Sequence, residues 1–195
     1  MNLSQLAAHS SLGKMEADLT LVDAARKMDR EALVTIFDRY ATPLYNFAMH
    51  ICGDPLQADQ AVGDVFTKFL EQMAAGKGPR TNLRSYLYEM TYNLMVDGMR
   101  RSRREVPLEL TEFELERDNG HHSMDSNLER KLLMDALILA IKGQLTASQR
   151  HVIVLRFAEG FSLTETAQIV GKEASNIKVI QNRAIAKLRK ILDLR

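Results

Sequence analysis

In the segment from Gly160 to Lys190, GFSLTETAQIVGKEASNIKVIQNRAIAKLRK, the side chains able to act on a partner crowd one face of one element. Ser175, Asn176, Gln181 and Asn182 offer hydroxyl and amide groups suited to base edges or phosphates, and Lys178 and Arg183 add cations among them. From Lys172 to the end, Lys172, Lys178, Arg183, Lys187, Arg189, Lys190 and Arg195 oppose only Glu173 and Asp193, while the whole chain carries a net charge of +1. A local cationic excess on a near-neutral chain suits a polyanion. An ordinary amphipathic helical pair also has one apolar and one solvated face, so the charge cluster is what favours nucleic acid over a plain hairpin.

The elements that must position these groups follow from the spacing of apolar residues. Ser162 and Glu165 form an S-x-x-E capping box, which starts a helix carrying Leu163, Thr166, Ala167 and Val170 inward. Gly171 ends it and lets a second helix leave steeply from about Ala174, with Ile177, Ile180, Ala184 and Leu188 on its apolar face. The small Ala167 allows the two helices to cross closely. This is the spacing of a helix-turn-helix.

Other chemistries find little support. The single cysteine, Cys52, lies in an apolar run and reads as a structural thiol, and it leaves no internal disulfide and no cysteine-rich zinc site. The adjacent His121 and His122 have no partner ligands nearby and are assigned no metal. No Gly-rich phosphate loop and no nucleophile with a base stands out, so neither an enzyme nor a cofactor is expected. No apolar run is long enough to span a bilayer and the N-terminus lacks a basic start before an apolar core, so a cytoplasmic protein without membrane insertion is expected.

With 195 residues, 46% of them hydrophobic, no alternating strand pattern and few glycines and prolines, the chain reads as all-α, in two small helical domains. A first helix is expected from about Asp18 to Tyr40. Thr42 and Pro43 then supply an N-cap and an N1 proline for a second helix through Ile51, and Asp54 with Pro55 repeat the device for a third. That third helix directs Ala58, Val62, Val65, Phe66, Phe69 and Leu70 inward before the loop AAGKGPRTN. Asn82 caps the next helix, LRSYLYEMTYNLMVDGMRRSRRE, which ends in Arg100, Arg101, Arg103 and Arg104. Four segments result: an N-terminal extension over 1–17, a domain over 18–104, an acidic linker over 105–127, and the helix-turn-helix domain over 128–195. In the last, Thr146 and Gln149 form a second capping box.

Two helical domains in this order, the first tipped with arginines and the second carrying a helix-turn-helix, resemble a bacterial RNA polymerase sigma factor of the sigma-70 family, of the small extracytoplasmic-function (ECF) type. FDRYATPLYNFAMHICGDPLQADQAVGDVFTKFL is similar to the early part of that family's domain 2, SYLYEMTYNLMVDGMRRSRRE to its promoter-melting part, and LTASQRHVIVLRFAEGFSLTETAQIVG with the basic helix to its domain 4. The resemblance implies that Asp59, Gln60 and Asp64 face the clamp helices of core RNA polymerase. Gln60 stands where the family usually has a carboxylate, and Gly63 where it has a glutamine. The loop from Gly76 to Asn82 would capture a flipped base of the minus-10 element, with Lys77, Arg80 and Arg84 along the phosphates and Asn82 beside them. Tyr86 replaces the family's common tryptophan, and of the neighbouring tyrosines Tyr88 is as well explained by a core position as by base stacking. Asn93, Asp97, Arg100 and Arg101 fit the family's N-x-x-x-D-x-x-R-R pattern at the upstream edge of the melted region.

In domain 4 the resemblance implies that the second helix reads the minus-35 element through Ser175, Asn176, Lys178, Gln181, Asn182 and Arg183. The sequence N-I-K-V-I-Q-N-R-A-I here departs from the family's T-V-K-S-R-L-x-R-A-R, so a different DNA preference is expected. The partners implied are core RNA polymerase (clamp helices and flap), promoter DNA and an anti-sigma factor. The rival reading is a stand-alone helix-turn-helix regulator, normally a symmetric dimer on a palindrome. It gives the arginine-tipped aromatic helix no task.

Overall fold

The computed structural model describes residues 18–105, 137–141 and 143–192. The described residues are helical, with turns between helices, and the chain divides into two compact units, Met1–Leu108 and Glu109–Arg195. The proposed N-terminal extension, the linker and the His121–His122 pair lie outside the described residues.

The first unit packs four helices: α1 over 18–26, α2 (Arg30–Cys52), α3 (Pro55–Ala74) and α4 (Leu83–Glu105). The expected single helix from Asp18 to Tyr40 is broken at Met28, which adopts φ 57°, and Asp29 caps the new helix by accepting from the Ala32 N–H at 2.8 Å. The expected break at Pro43 does not occur, since Pro43 lies inside α2. The apolar stripe accounts for both corrections. Ala32, Ile36, Tyr40, Leu44, Phe47, Ala48 and Ile51 are buried in one unbroken series, and their packing outweighs the roughly 3 kcal/mol that an interior proline costs. Asp18 ties α1 to α2, accepting from Arg39 at 2.6 Å and from the Tyr40 hydroxyl at 2.7 Å.

Gly53 ends α2 with φ 72°, and Asp54 caps α3 by accepting from the Leu56 and Gln57 N–H groups. Those bonds, with one from the Gln57 side-chain amide, hold the Asp54 carboxyl below its ordinary range. The Cys52 thiol is half-buried, lies 3.4 Å from the Asp54 carbonyl oxygen and is pushed up by burial, as befits a structural thiol. Leu70, expected inside, is exposed, and Met73 takes the inward position one turn later.

The second unit contains α5, described over 137–141 and 143–144, then α6 (Ala147–Ile153), a π-helical turn (Val154–Ala158), α7 (Leu163–Val170) and α8 (Ala174–Ile191). Ala140, Leu145, Ile153, Ala184 and Leu188 form one core cluster, on which Leu137, Ile141 and Ile185 pack. Both capping boxes are present. Thr146 and Gln149 exchange bonds of 3.1 and 3.3 Å, and Ser162 and Glu165 exchange bonds of 2.8 and 3.2 Å.

Candidate functional site

The helix-turn-helix is α7, the turn at Gly171 and α8. Gly171 adopts φ 66°, and the N–H groups of Gly171 and Lys172 return to the carbonyls of Gln168 and Ala167 at 3.1 and 2.9 Å, which closes α7 and redirects the chain. Thr166, Ala167, Ile169 and Val170 of α7 and Ile177, Ala184 and Leu188 of α8 are buried. Packing on that stripe turns the opposite face of α8 outward: Ser175, Asn176, Lys178, Asn182 and Arg183 are all exposed.

Gln181 is set apart from these five. It falls between Ile177 and Ala184 on the inward stripe, is half-buried, and accepts through Oε1 from the Arg156 Nε–H at 2.9 Å. Arg156 comes from the π-helical turn and also donates through Nη1 to the Phe161 carbonyl. Conversely, Val179 was missed by sequence reasoning. It is 47% exposed on α8, and its signal was an apolar residue lying off the i, i+3, i+4 stripe.

In the first unit, the loop after α3 is built tightly. Gly76 adopts φ 68° and Gly78 φ 123°, and a Cβ on Gly78 would sit 1.9 Å from the Met73 Cε. Pro79 is buried and its carbonyl accepts from Arg26 at 2.8 Å. Lys77 and Arg80 are left exposed on this anchored loop. Asn82 caps α4, accepting from the Ser85 N–H at 2.9 Å.

Along α4 the tyrosines separate. Tyr88 is fully buried, 5.0 Å from the Phe47 ring centre, and the Arg84 guanidinium lies over its face at 5.3 Å. It is a core aromatic. Tyr86 and Tyr92 are half-buried, and burial followed by the nearby Glu89 charge pushes the Tyr86 hydroxyl up, so it stays a neutral donor at physiological pH. Asn93 and Asp97 are exposed one turn apart. Arg100 and Arg101 continue the helix, and their side chains lie outside the described residues.

Between α3 and α4 runs a groove of about 280 Å³, lined by Gln57, Gln60, Ala61 and Asp64 on one side and Leu94, Met95, Gly98 and Met99 on the other. The structure thus brings Gln60 and Asp64 together beside apolar side chains. Asp59 is exposed on α3 but does not line this groove.

Comparison with known proteins gives this geometry its family. Residues 36–105 match the family model "Sigma-70 region 2", and residues 143–190 match "Sigma-70, region 4". The chain belongs to the sigma-70 family. It is an ECF sigma factor, which directs promoter-specific initiation of transcription. It is 27% identical over 187 residues to the ECF RNA polymerase sigma factor BldN of Streptomyces coelicolor, covering 95% of this chain and 69% of that one. To the ECF RNA polymerase sigma factor SigX of Bacillus subtilis it is 26% identical over 173 residues, covering 84% and 85%. Among solved structures it is similar to the sigma factor RpoE in complex with the anti-sigma factor NepR from Bartonella quintana, with 25% identity, a TM-score of 0.60 and coverage of 86% of this chain and 98% of that one. The presence of both regions in one chain leaves the stand-alone regulator without support. Among the described residues no helix is long and apolar enough to cross a membrane.

Proposed function

We propose that this sigma factor divides its work between the segment 18–104, which binds core RNA polymerase and the minus-10 element, and the segment 128–195, which binds the minus-35 element, with 105–127 as the link. The observation that carries the reading is the outward face of α8. Ser175, Asn176, Lys178, Asn182 and Arg183 are exposed together on a helix held by its opposite stripe. A recognition helix so presented enters a major groove, where amide and hydroxyl groups reach base edges and the cations neutralise phosphates. Val179 adds an apolar contact suited to a thymine methyl group.

In the first segment, Lys77 and Arg80 border the phosphates of an unstacked strand while Tyr86 stacks beside a base, with Arg84 and Asn82 supporting them. Asn93, Asp97, Arg100 and Arg101 extend this contact upstream. The flipped base costs a few kcal/mol of unstacking, which the pocket and the polymerase contacts offset together. The groove between α3 and α4, lined by Gln60 and Asp64 from one helix and by Leu94, Met95 and Met99 from the other, suits an amphipathic helical partner, as the polymerase clamp helices would be. Asp59 contributes from the flank, and the second segment meets the flap. An anti-sigma factor covering these surfaces is the expected regulator, given the anti-sigma complex of the similar RpoE.

The test is promoter response. Replacing Lys178 and Arg183 together with alanine should weaken promoter binding by a similar factor on every minus-35 sequence, whereas replacing Asn176 and Asn182 together with alanine should remove most of the sensitivity of transcription to minus-35 mutations while binding to core polymerase persists. An undiminished response to minus-35 mutations in the asparagine variant would overturn the assignment of α8.

A further inference from the structure

The bond between Arg156 and Gln181 joins two elements that sequence spacing does not connect. Arg156 lies in the π-helical turn and Gln181 lies 25 residues later on α8, yet the Nε–H of one meets the Oε1 of the other at 2.9 Å. The orientation of the Gln181 amide is fixed by chemistry, because a guanidinium has no acceptor and its partner atom must be the oxygen. The Nη1 of the same guanidinium donates to the carbonyl of Phe161, in the turn that leads into α7. One arginine therefore gathers the π turn, the entry to the helix-turn-helix and the middle of α8. Gln181 itself occupies a position that packing would give to an apolar residue, one turn after Ile177 and just before Ala184, both fully buried.

We infer that Gln181 is a positioning residue: by holding Arg156 it sets the posture of α8 against the rest of the helix-turn-helix, and it contributes to promoter affinity without choosing a base. This rests on the reading of α8 as the minus-35 recognition helix, and it withdraws Gln181 from the set of base readers. Bidentate pairing to adenine needs the amide turned to the groove with oxygen and nitrogen both directed at the base. Here the oxygen is engaged inside the protein. The base choice then falls to the exposed residues around it, Ser175, Asn176, Val179 and Asn182, with Lys178 and Arg183 supplying charge. The Arg156–Gln181 bond keeps α8 in the posture that enters the groove, so its loss lowers the share of molecules ready to bind and leaves each reader's own base contact as it was.

Polymerase holoenzyme carrying the variants Gln181→Met, Arg156→Met and the double change is assayed on a promoter library randomised across the minus-35 element, with thermal unfolding of each variant as a control on folding. The wild-type chain must first show a minus-35 preference. If it shows none, the assignment of α8 fails, and the failure is not that of the clasp. Given that preference, Gln181→Met is expected to lower promoter affinity about three- to tenfold by the same factor for every minus-35 sequence, leaving the ranking of bases unchanged at each position. The two single losses should be coupled, so that the double variant is little worse than the weaker single one, since replacing both partners leaves no amide or guanidinium unpaired with the other. Asn182→Ala, by contrast, should change the ranking at one or two positions. A Gln181→Met variant that alters the preference at a particular base pair would make Gln181 a reader and overturn the inference. So would simple additivity of the two losses, or an unchanged affinity. If Arg156→Met unfolds the second unit at the assay temperature, the comparison of Gln181→Met with Asn182→Ala decides alone, an even loss of affinity for the first and a changed ranking for the second being the expected result.

Discussion

At the scale of single residues, the surroundings fix the charge state of side chains buried in each unit. His151 is 6% exposed in α6, and burial first, with the Arg150 charge second, lowers it from 6.5 to about 4. The folded unit therefore holds His151 neutral while the unfolded chain takes up a proton on it between those two values. Stability present above pH 6.5 is lost as pH falls toward 4, on the order of 2 kcal/mol by pH 5. Amide hydrogen exchange of the α6–α8 residues in the whole chain should show protection falling between pH 7 and 5, beyond the ordinary pH dependence of exchange itself, and His151→Leu should flatten that fall. Equal loss of protection in the variant would place the sensitivity elsewhere. Tyr40 behaves oppositely in kind: burial, then its bond to Asp18, raises its hydroxyl far above the ordinary value, so it remains a donor to Asp18 throughout the physiological range.

At the scale of elements, glycines mark where backbone geometry and stability diverge. Gly63 lies on the exposed face of α3 with nothing within 4 Å of an added Cβ, so Gly63→Ala should stabilise the first unit by about 1 kcal/mol. A rise in melting temperature of several degrees checks it, and no rise would mean that α3 is already constrained from elsewhere. Gly78 is the reverse case. Its φ of 123° and the Met73 methyl, 1.9 Å from where an added Cβ would lie, make Gly78→Ala destabilising by about 1–2 kcal/mol, with slower open-complex formation on a promoter. Elements with local chemical signatures were legible in the sequence: the two capping boxes, Gly171, and the Asp54–Pro55 start of α3 all lie where spacing put them. The break at Met28 and the continuity through Pro43 were not, because long-range packing of the α2 stripe overrode local punctuation. The π turn was hidden for a related reason. Its i to i+5 register, seen in the Glu159 N–H reaching the Val154 carbonyl at 2.9 Å, leaves no compositional mark, yet it supplies Arg156. Gln181 therefore looked like its exposed neighbours until its partner was in view.

At the scale of the whole molecule, the two units present different kinds of surface, and on the proposed reading both act on one promoter. The first has a groove lined by both polar and apolar side chains together with a glycine-containing loop, and the second has a helix whose outward side is largely polar and cationic. Because the chain as a whole is nearly neutral, at +1, its attraction to DNA is local, and tight promoter binding should require the polymerase contacts as well. The pure protein should accordingly bind DNA weakly and with little specificity, gaining sequence preference only with core polymerase. The most direct measurement is in vitro transcription of a genomic fragment library by purified core polymerase, with and without this protein, mapping every transcript start. New starts that share two upstream motifs at a fixed spacing are the predicted result; an unchanged set of starts, with core polymerase bound to the protein, would contradict the account.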